Sequence, residues 1–300
     1  MFGRVVLIGG SGFLGRRLAA ELSQRGWAVR VATRRRERAK SLTVLPGVEV
    51  VEGDAYAPDD LRRLLAGQEA VVNLVGILRG GNGRPYGPGF RRAHVELPEK
   101  IAAAMAAAGI RRLVHVSALQ AGAAAPSGYL RSKHAGEAVL RAAPVDLTIL
   151  RPSVIFGAGD SFLTLFARLL RPLPVLPLAC PEARFQPVWV GDVAAVCAEA
   201  LARSASIGES YDLCGPRRYS LRELVAWVAR LQRRRRLILP LGERLSWLQA
   251  AVMECVPGSP LCLDNFYSMQ AASVCADGCA LPFGRRAHAL EEIVPAYLAA

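Results

Sequence analysis

The feature that most constrains this chain is a buried strand running into a turn almost free of side chains. Val5-Val6-Leu7-Ile8 is an apolar run; Gly9-Gly10-Ser11-Gly12-Phe13-Leu14-Gly15 follows, and Leu14, Leu18 and Leu22 then mark one face of a helix. The spaced glycines have separate tasks. Gly9 permits the tight turn, Gly12 lets a pyrophosphate approach the backbone, and Gly15 lets the helix pack closely. Unpaired N–H groups at the helix start face the phosphates, where the helix dipole favours negative charge. A glycine triplet alone is weak evidence. The strand before it and the helix after it supply the context for dinucleotide binding.

The same unit recurs along the chain. Apolar runs predict strands at 5–8, 28–33, 48–52, 70–75, 113–117, 147–150 and 210–213, separated mostly by helical patterns at 13–24, 58–66, 94–108, 132–142 and 192–203. Repeated strand–helix units with continuous rather than alternating apolar strands predict an α/β fold: a doubly wound parallel sheet of the Rossmann type, covered on both faces. After Arg151 six prolines between 152 and 187 break the rhythm, and from Ser220 onward the pattern is helical. Ser220 and Glu223 form a capping-box signature. The expected division is a dinucleotide-binding domain at 1–155 and 188–215, with a smaller, mainly helical, discontinuous lobe at 156–187 and 216–300.

Hydrophobic residues make up 52% of the 300, enough for a large core, and 38 basic against 25 acidic residues give +13. That excess suits an acidic partner or, equally, a basic surface kept for solubility. No uncharged apolar stretch reaches the roughly 18 residues of a membrane helix, so no transmembrane segment is expected. The apolar start is better explained by the glycine turn than by a signal peptide. The seven cysteines include no CxxC pair. Cys197 and Cys214 read as buried thiols and the compartment as reducing. Cys275 and Cys279 lack the further ligands a metal site needs, so no metal is expected.

Several residues fall where a dinucleotide and its chemistry would lie. The second strand ends at Thr33 without an acidic residue to hold a ribose 2′-hydroxyl; Arg34 and Arg35 follow instead. Arginine suits a 2′-phosphate, so NADP(H) is favoured over NAD(H). Asp54 is placed near the adenine. Asn73, Val75 and Gly76 end the fourth strand beside the channel, where Asn73 serves either the turn or the cofactor. Tyr129 and Lys133 share one helical face. A lysine beside the phenol would lower its pKa, making Tyr129 a candidate proton donor or base, with Lys133 in reach of ribose hydroxyls.

These motifs together resemble the extended short-chain dehydrogenase/reductase superfamily. The glycine turn, Tyr129/Lys133, the stretch from Leu150 to Gly157, and Val190-Gly191-Asp192-Val193-Ala194 match in order and spacing. More narrowly, Val114–Leu119, Ile149–Gly157, Arg184–Val193, Tyr211–Pro216 and Tyr219–Leu224 resemble an atypical branch: the NADPH-binding accessory subunit of respiratory complex I and its bacterial relatives. The resemblance is weakest after residue 255. It implies a tightly held NADP(H) with Pro152, Ser153 and Val154 near the nicotinamide. It also implies a structural or regulatory role among complex I subunits, peripheral on the cytoplasmic face of a bacterial inner membrane. One departure stands out. The superfamily commonly has a hydroxyl residue after the serine ending the fifth strand, and here that residue is Ala118. Ser117 takes over as carbonyl polariser only if the strand end shifts. The alternative function is an NADP-dependent reductase or epimerase acting on a small carbonyl or hydroxyl substrate.

The second lobe carries Arg233-Arg234-Arg235-Arg236, the apolar stretch Leu237–Leu241 and a helix predicted at 244–256. Leu245, Leu248, Ala251, Val252 and Cys255 form one stripe of that helix. The stripe either packs into its own lobe or, with the arginines, meets an anionic membrane surface or an adjoining protein. Nucleic acid is not an expected partner, because the arginines lack interleaved aromatics.

Overall fold

The computed structural model describes residues 2–256, 258–276 and 280–299. All seven predicted strands form and join one sheet: β1 (Phe2–Ile8), β2 (Trp27–Thr33), β3 (Val48–Glu52), β4 (Ala70–Asn73), β5 (Arg112–Val116), β6 (Asp146–Pro152) and β7 (Ser210–Leu213). The order is β7-β6-β5-β4-β1-β2-β3, and every pairing is parallel. The chain therefore winds outward from β1 in both directions, and the switch point lies at the carboxyl ends of β1 and β4.

The helices are α1 (Phe13–Gln24), α2 (Pro58–Leu65), α3 (Leu97–Ala107), α4 (Gly128–Ala142), α5 (Leu163–Leu169), α6 (Val190–Ala202), α7 (Leu221–Leu231), α8 (Glu243–Glu254) and α9 (Leu263–Ser268). A short helix, Pro88–Arg91, and a π-helical turn, Arg92–Glu96, precede α3. Adjacent residues of β1 serve opposite layers. Val5 and Leu7 pack with α1 and α6, whereas Val6 and Ile8 pack with α2, α3 and α4. Each fully buried Val, Leu or Ile contributes about 1.5–3 kcal/mol, which explains why these strands read as unbroken apolar runs.

A third apolar cluster gathers Phe156, α5, the strand Val175–Leu178, α7 and the terminal Leu290 and Val294. The capping box at α7 forms as expected: the Glu223 N–H donates to Ser220 Oγ at 3.1 Å, and the Ser220 N–H donates to Glu223 Oε2 at 2.6 Å. Val175–Leu178 pairs in parallel with Leu237–Pro240. The helix at α8 forms, but its apolar stripe faces outward: Leu245, Leu248 and Val252 are exposed while Ser246 and Ala250 are buried. Packing into its own lobe is therefore not what the stripe does. Among the described residues no helix is long and apolar enough to cross a membrane.

Cysteine usage departs from expectation. Cys197 is a free buried thiol, but Cys214, at the end of β7, is bridged to Cys275 with Cα atoms 6.1 Å apart. This corrects the reading of Cys214 as a thiol, and the argument from cysteines for a reducing compartment loses its basis. Cys279 lies outside the described residues, so the Cys275/Cys279 pair has no further structural account.

Candidate functional site: a bare-backbone turn above a buried polar layer

The three glycines differ as their positions require. Gly9 has φ +83°, a left-handed conformation that disfavours a side chain. A Cβ on Gly15 would lie 2.4 Å from the carbonyl oxygen of Gly10, so only glycine allows α1 to start this close to the turn. A Cβ on Gly12 would meet one atom, Gly9 O at 3.2 Å, and otherwise open space. Gly12 is also the N-cap of α1, where no side chain caps the helix and no acidic residue occupies the first turn. The first amides of α1, around Phe13 and Leu14, are thus left for an external anion. A diphosphate fits this cradle, and a side chain at Gly12 would fill it.

At the β2 end, Arg34 and Arg35 are exposed and make no ion pair among the described residues. The hydroxyl of Thr33 lies 3.3 Å from that of Ser11, joining the β2 end to the glycine turn. Asp54 is used locally: its Oδ1 accepts from the Tyr56 N–H at 3.1 Å, shaping the loop after β3. Tyr56, which sequence reasoning passed over, stacks under the Arg92 guanidinium at 4.6 Å, and Arg34 lies close enough to lower its phenol's pKa against the larger upward effect of burial. An aromatic and two guanidiniums at this corner suit an adenine and a ribose phosphate.

Below the channel lies a layer of buried polar side chains. Asn73 is fully enclosed; its Oδ1 accepts from the Val75 N–H at 3.1 Å and its Nδ2 sits 3.1 Å from His115 Nδ1. These hydrogen bonds shape the turn after β4. Lys133 is 3% exposed and donates to Val75 O at 3.2 Å and Val116 O at 3.0 Å. Its Nζ would stand 3.4 Å from a Cβ on Gly76, an ordinary contact that brings the ammonium to the end of β4. His94, on the π-helical turn, accepts the Ile77 N–H at Nε2 (3.1 Å), leaving its Nδ1–H for Ser132 Oγ at 2.8 Å. Burial drives His94 down to about 2 and His115 to about 3, with Lys133 adding to both, and drives Lys133 to about 8. The imidazoles are therefore neutral at pH 7.

Tyr129 stands in the first turn of α4, its ring 5.6 Å from that of His94 and 6.1 Å from that of Phe90. Tyr129 and Lys133 share one helix as expected, but the electrostatics do not follow the expectation. Burial, and then the Asp264 carboxylate, push the phenol up to about 12. Asp264, on α9, accepts from the Gly128 and Tyr129 N–H groups at 2.7 and 3.1 Å. Lys133 directs its charge at carbonyl oxygens instead.

β5 ends at Val116, and the buried Ser117 hydroxyl has no hydrogen-bond partner among the described residues. Burial raises the pKa of the nearby, wholly buried Glu137 carboxylate, but Arg151 and Arg141 together outweigh it and hold the group below its usual range. Arg151 Nε donates to Glu137 at 2.8 Å and Arg141 at 3.0 Å. Glu137, Arg141 and Arg151 thus form an internal ion cluster. At the β6 end Pro152 and Ser153 are buried and Val154 is partly exposed, and Ser153 Oγ donates to Ser273 O at 2.7 Å, tying the second lobe to the channel. Sequence reasoning did not single out His94 or Asp264, and it used His115 only as part of the Val114–Leu119 stretch.

Three comparisons agree with this geometry. Residues 9–160 match a family model described as NAD(P)H-binding. The chain is 32% identical over 249 residues to the NADH dehydrogenase [ubiquinone] 1 alpha subcomplex subunit 9, mitochondrial, of Rattus norvegicus, covering 81% of this chain and 65% of that one. It is 37% identical over 193 residues to the ceramide reductase of Caulobacter vibrioides, covering 64% and 59% respectively. The chain thus spans about two thirds or less of the length of these relatives. The fold is shared with the NADPH-dependent quinone oxidoreductase complexed with NADPH from Escherichia coli, at a TM-score of 0.78 and 19% identity over 98% of this chain and 99% of that one. A parallel seven-stranded sheet, a bare-amide turn at its switch point and a matching family model over half the chain place it in one group: the chain belongs to the NAD(P)H-binding Rossmann family.

Proposed function

We propose that this protein holds NADP(H) in a structural or regulatory role within a membrane-associated respiratory NADH:quinone oxidoreductase, and does not turn it over. One contrast carries this reading. The phosphate cradle at Gly9–Gly15 is complete, whereas the proton-transfer apparatus is not. Ala118 offers no hydroxyl, and the Tyr129 phenol, packed against His94 and Phe90, keeps its proton. Gly12, Phe13, Leu14 and Gly15 would hold the diphosphate by their amides, Arg34 and Arg35 the 2′-phosphate, and Lys133 the nicotinamide ribose. Val75, Gly76, Pro152, Ser153 and Val154 would line the nicotinamide end. When bound, the cofactor supplies a hydride donor; the chain's part is to position it and exclude water. Similarity to a complex I subunit supports the assembly role, and a cytoplasmic, peripheral position on a bacterial inner membrane goes with it.

The second reading, an NADP-dependent reductase or epimerase with Tyr129 as proton donor, is favoured by a groove of about 920 Å³ beside the first turn of α4, between Gly81–Gly87 and Tyr267. Native mass spectrometry of the purified protein tests the first reading. The expected result is retained NADP(H) rather than NAD(H), with no oxidation of bound NADPH when quinones or keto-substrates are added. Arg34→Ala is expected to weaken NADPH about tenfold or more while sparing NADH, as loss of a charged phosphate contact should. Turnover abolished by Tyr129→Phe would replace the first reading with the second.

A further inference from the structure

The second lobe carries a surface the nucleotide reading does not use. α8 packs inside out. Its buried positions hold Ser246 and Ala250, while Leu245, Leu248 and Val252 project outward, each 51–60% exposed, and Trp247, also exposed, stands on the helix's other flank. Gln249 Nε2 donates to Pro177 O at 3.2 Å, which sets α8 along the two-stranded ribbon. That ribbon repeats the inversion. Leu237 is paired with Val175 and Leu239 with Pro177; all four face outward, while Leu176, Leu178 and Ile238 face the core. A helix stripe and a strand-pair face, linked through Gln249 and Pro177, thus both turn aliphatic side chains to solvent, more than scattered exposed leucines would give.

The charge around this surface has one sign. Segments 161–180 and 229–256 carry Arg168, Arg171, Arg230, Arg233, Arg234, Arg235, Arg236 and Arg244 against only Glu243 and Glu254. Arg234 and Arg236 spend their guanidiniums on the Leu170 and Arg171 carbonyls, fixing the basic stretch against the end of α5. Arg168, Arg171, Arg233, Arg235 and Arg244 are exposed with no ion pair among the described residues.

We propose that this face docks in the plane of an anionic phospholipid bilayer, the aliphatic side chains entering the acyl boundary and the exposed arginines meeting lipid phosphates. Protein hot spots favour Trp, Tyr and Arg and are poor in Leu and Val, whereas this apolar surface is mainly Leu and Val, and the exposed guanidiniums of the same segments match a phosphate layer. Docking of this kind needs no spanning helix. It is independent of the nucleotide site, so failure of either reading leaves the other standing.

The test is co-sedimentation of the full chain with phosphatidylglycerol–phosphatidylcholine vesicles and with pure phosphatidylcholine vesicles. Binding is expected to the first only and to fall as salt rises. Leu245→Asp/Leu248→Asp and, separately, Arg233→Glu/Arg235→Glu are each expected to lower it at least about tenfold, with nucleotide retention and melting temperature unchanged. Trp247 emission should shift to the blue on binding, and Trp247→Phe should remove the shift without removing binding. No binding, equal binding to both vesicles, or binding untouched by both double variants would overturn the proposal. So would a self-associated form dispersed by Leu245→Asp/Leu248→Asp, which would give the face to a second copy of the chain.

Discussion

The amino-terminal turn and the outer face of α8 are opposites. At residues 9–15 the large side chains are buried and the backbone is bare; at residues 243–254 the backbone is satisfied and the large side chains are bare. Folding alone rewards neither arrangement. A helix start without a cap leaves amides unpaired, and a leucine turned to water forgoes about 1.5–3 kcal/mol of burial. The first region makes its exposure irreplaceable through a tightly packed surround, whereas the second leaves it on a surface with little behind it. Mutation should therefore affect the two regions in different ways.

The largest effect is expected at Gly15. Gly15→Ala puts a Cβ against the Gly10 carbonyl and should cost about 3 kcal/mol or more, read as loss of soluble folded protein or a steep fall in denaturation midpoint. Gly12→Ala meets only Gly9 O and should leave the fold nearly intact while weakening the nucleotide; equal destabilisation by both would erase the distinction between packing glycine and ligand-facing glycine. Next comes acid. His94 and His115 are held neutral well below the usual histidine pKa, so the unfolded chain binds protons first as pH falls below about 6.5. Each adds about 1.4 kcal/mol of lost stability per pH unit, or about 3–4 kcal/mol for the pair by pH 5. Chemical denaturation from pH 7 to 5 checks this slope.

Lys133 should give a smaller effect at the alkaline end, in the same sense: stability again rises with pH. Its folded pKa lies near 8, below the unfolded value, so its charge at pH 7 works against the fold, and stability rises as pH passes from about 8 to 10. Lys133→Met is expected to stabilise the protein at pH 7 by about 1–2 kcal/mol, a gain that fades toward pH 10, while lowering nucleotide affinity. The smallest effect belongs to the outer face. Leu245→Ser and Leu248→Ser should each change stability by no more than about 0.5 kcal/mol, by thermal melting. A loss of 2 kcal/mol there would mean the leucines pack against the lobe after all.

How much was legible in the sequence follows from the same physics. The seven strands could be read because a sheet covered on both faces leaves no position for a polar residue, and the Ser220/Glu223 box because its signal spans only four residues. The glycine turn was equally plain. What sequence could not give was direction. Periodicity placed Leu245, Leu248 and Val252 on one stripe, but the same spacing serves a stripe turned inward or outward. The environment of Tyr129 depends on Asp264, 135 residues away, and on burial by Phe90 and His94. The pairing of Glu137 with Arg151 joins two different elements and left no local mark in the sequence.

The bridge between Cys214 and Cys275 closes a ring of 61 residues that contains α7, α8 and α9. Tethering chain ends so far apart removes about 4 kcal/mol of freedom from the denatured ensemble by polymer statistics. A protease nick anywhere inside that ring would leave the fragments covalently joined, migrating together until a thiol reagent separates them.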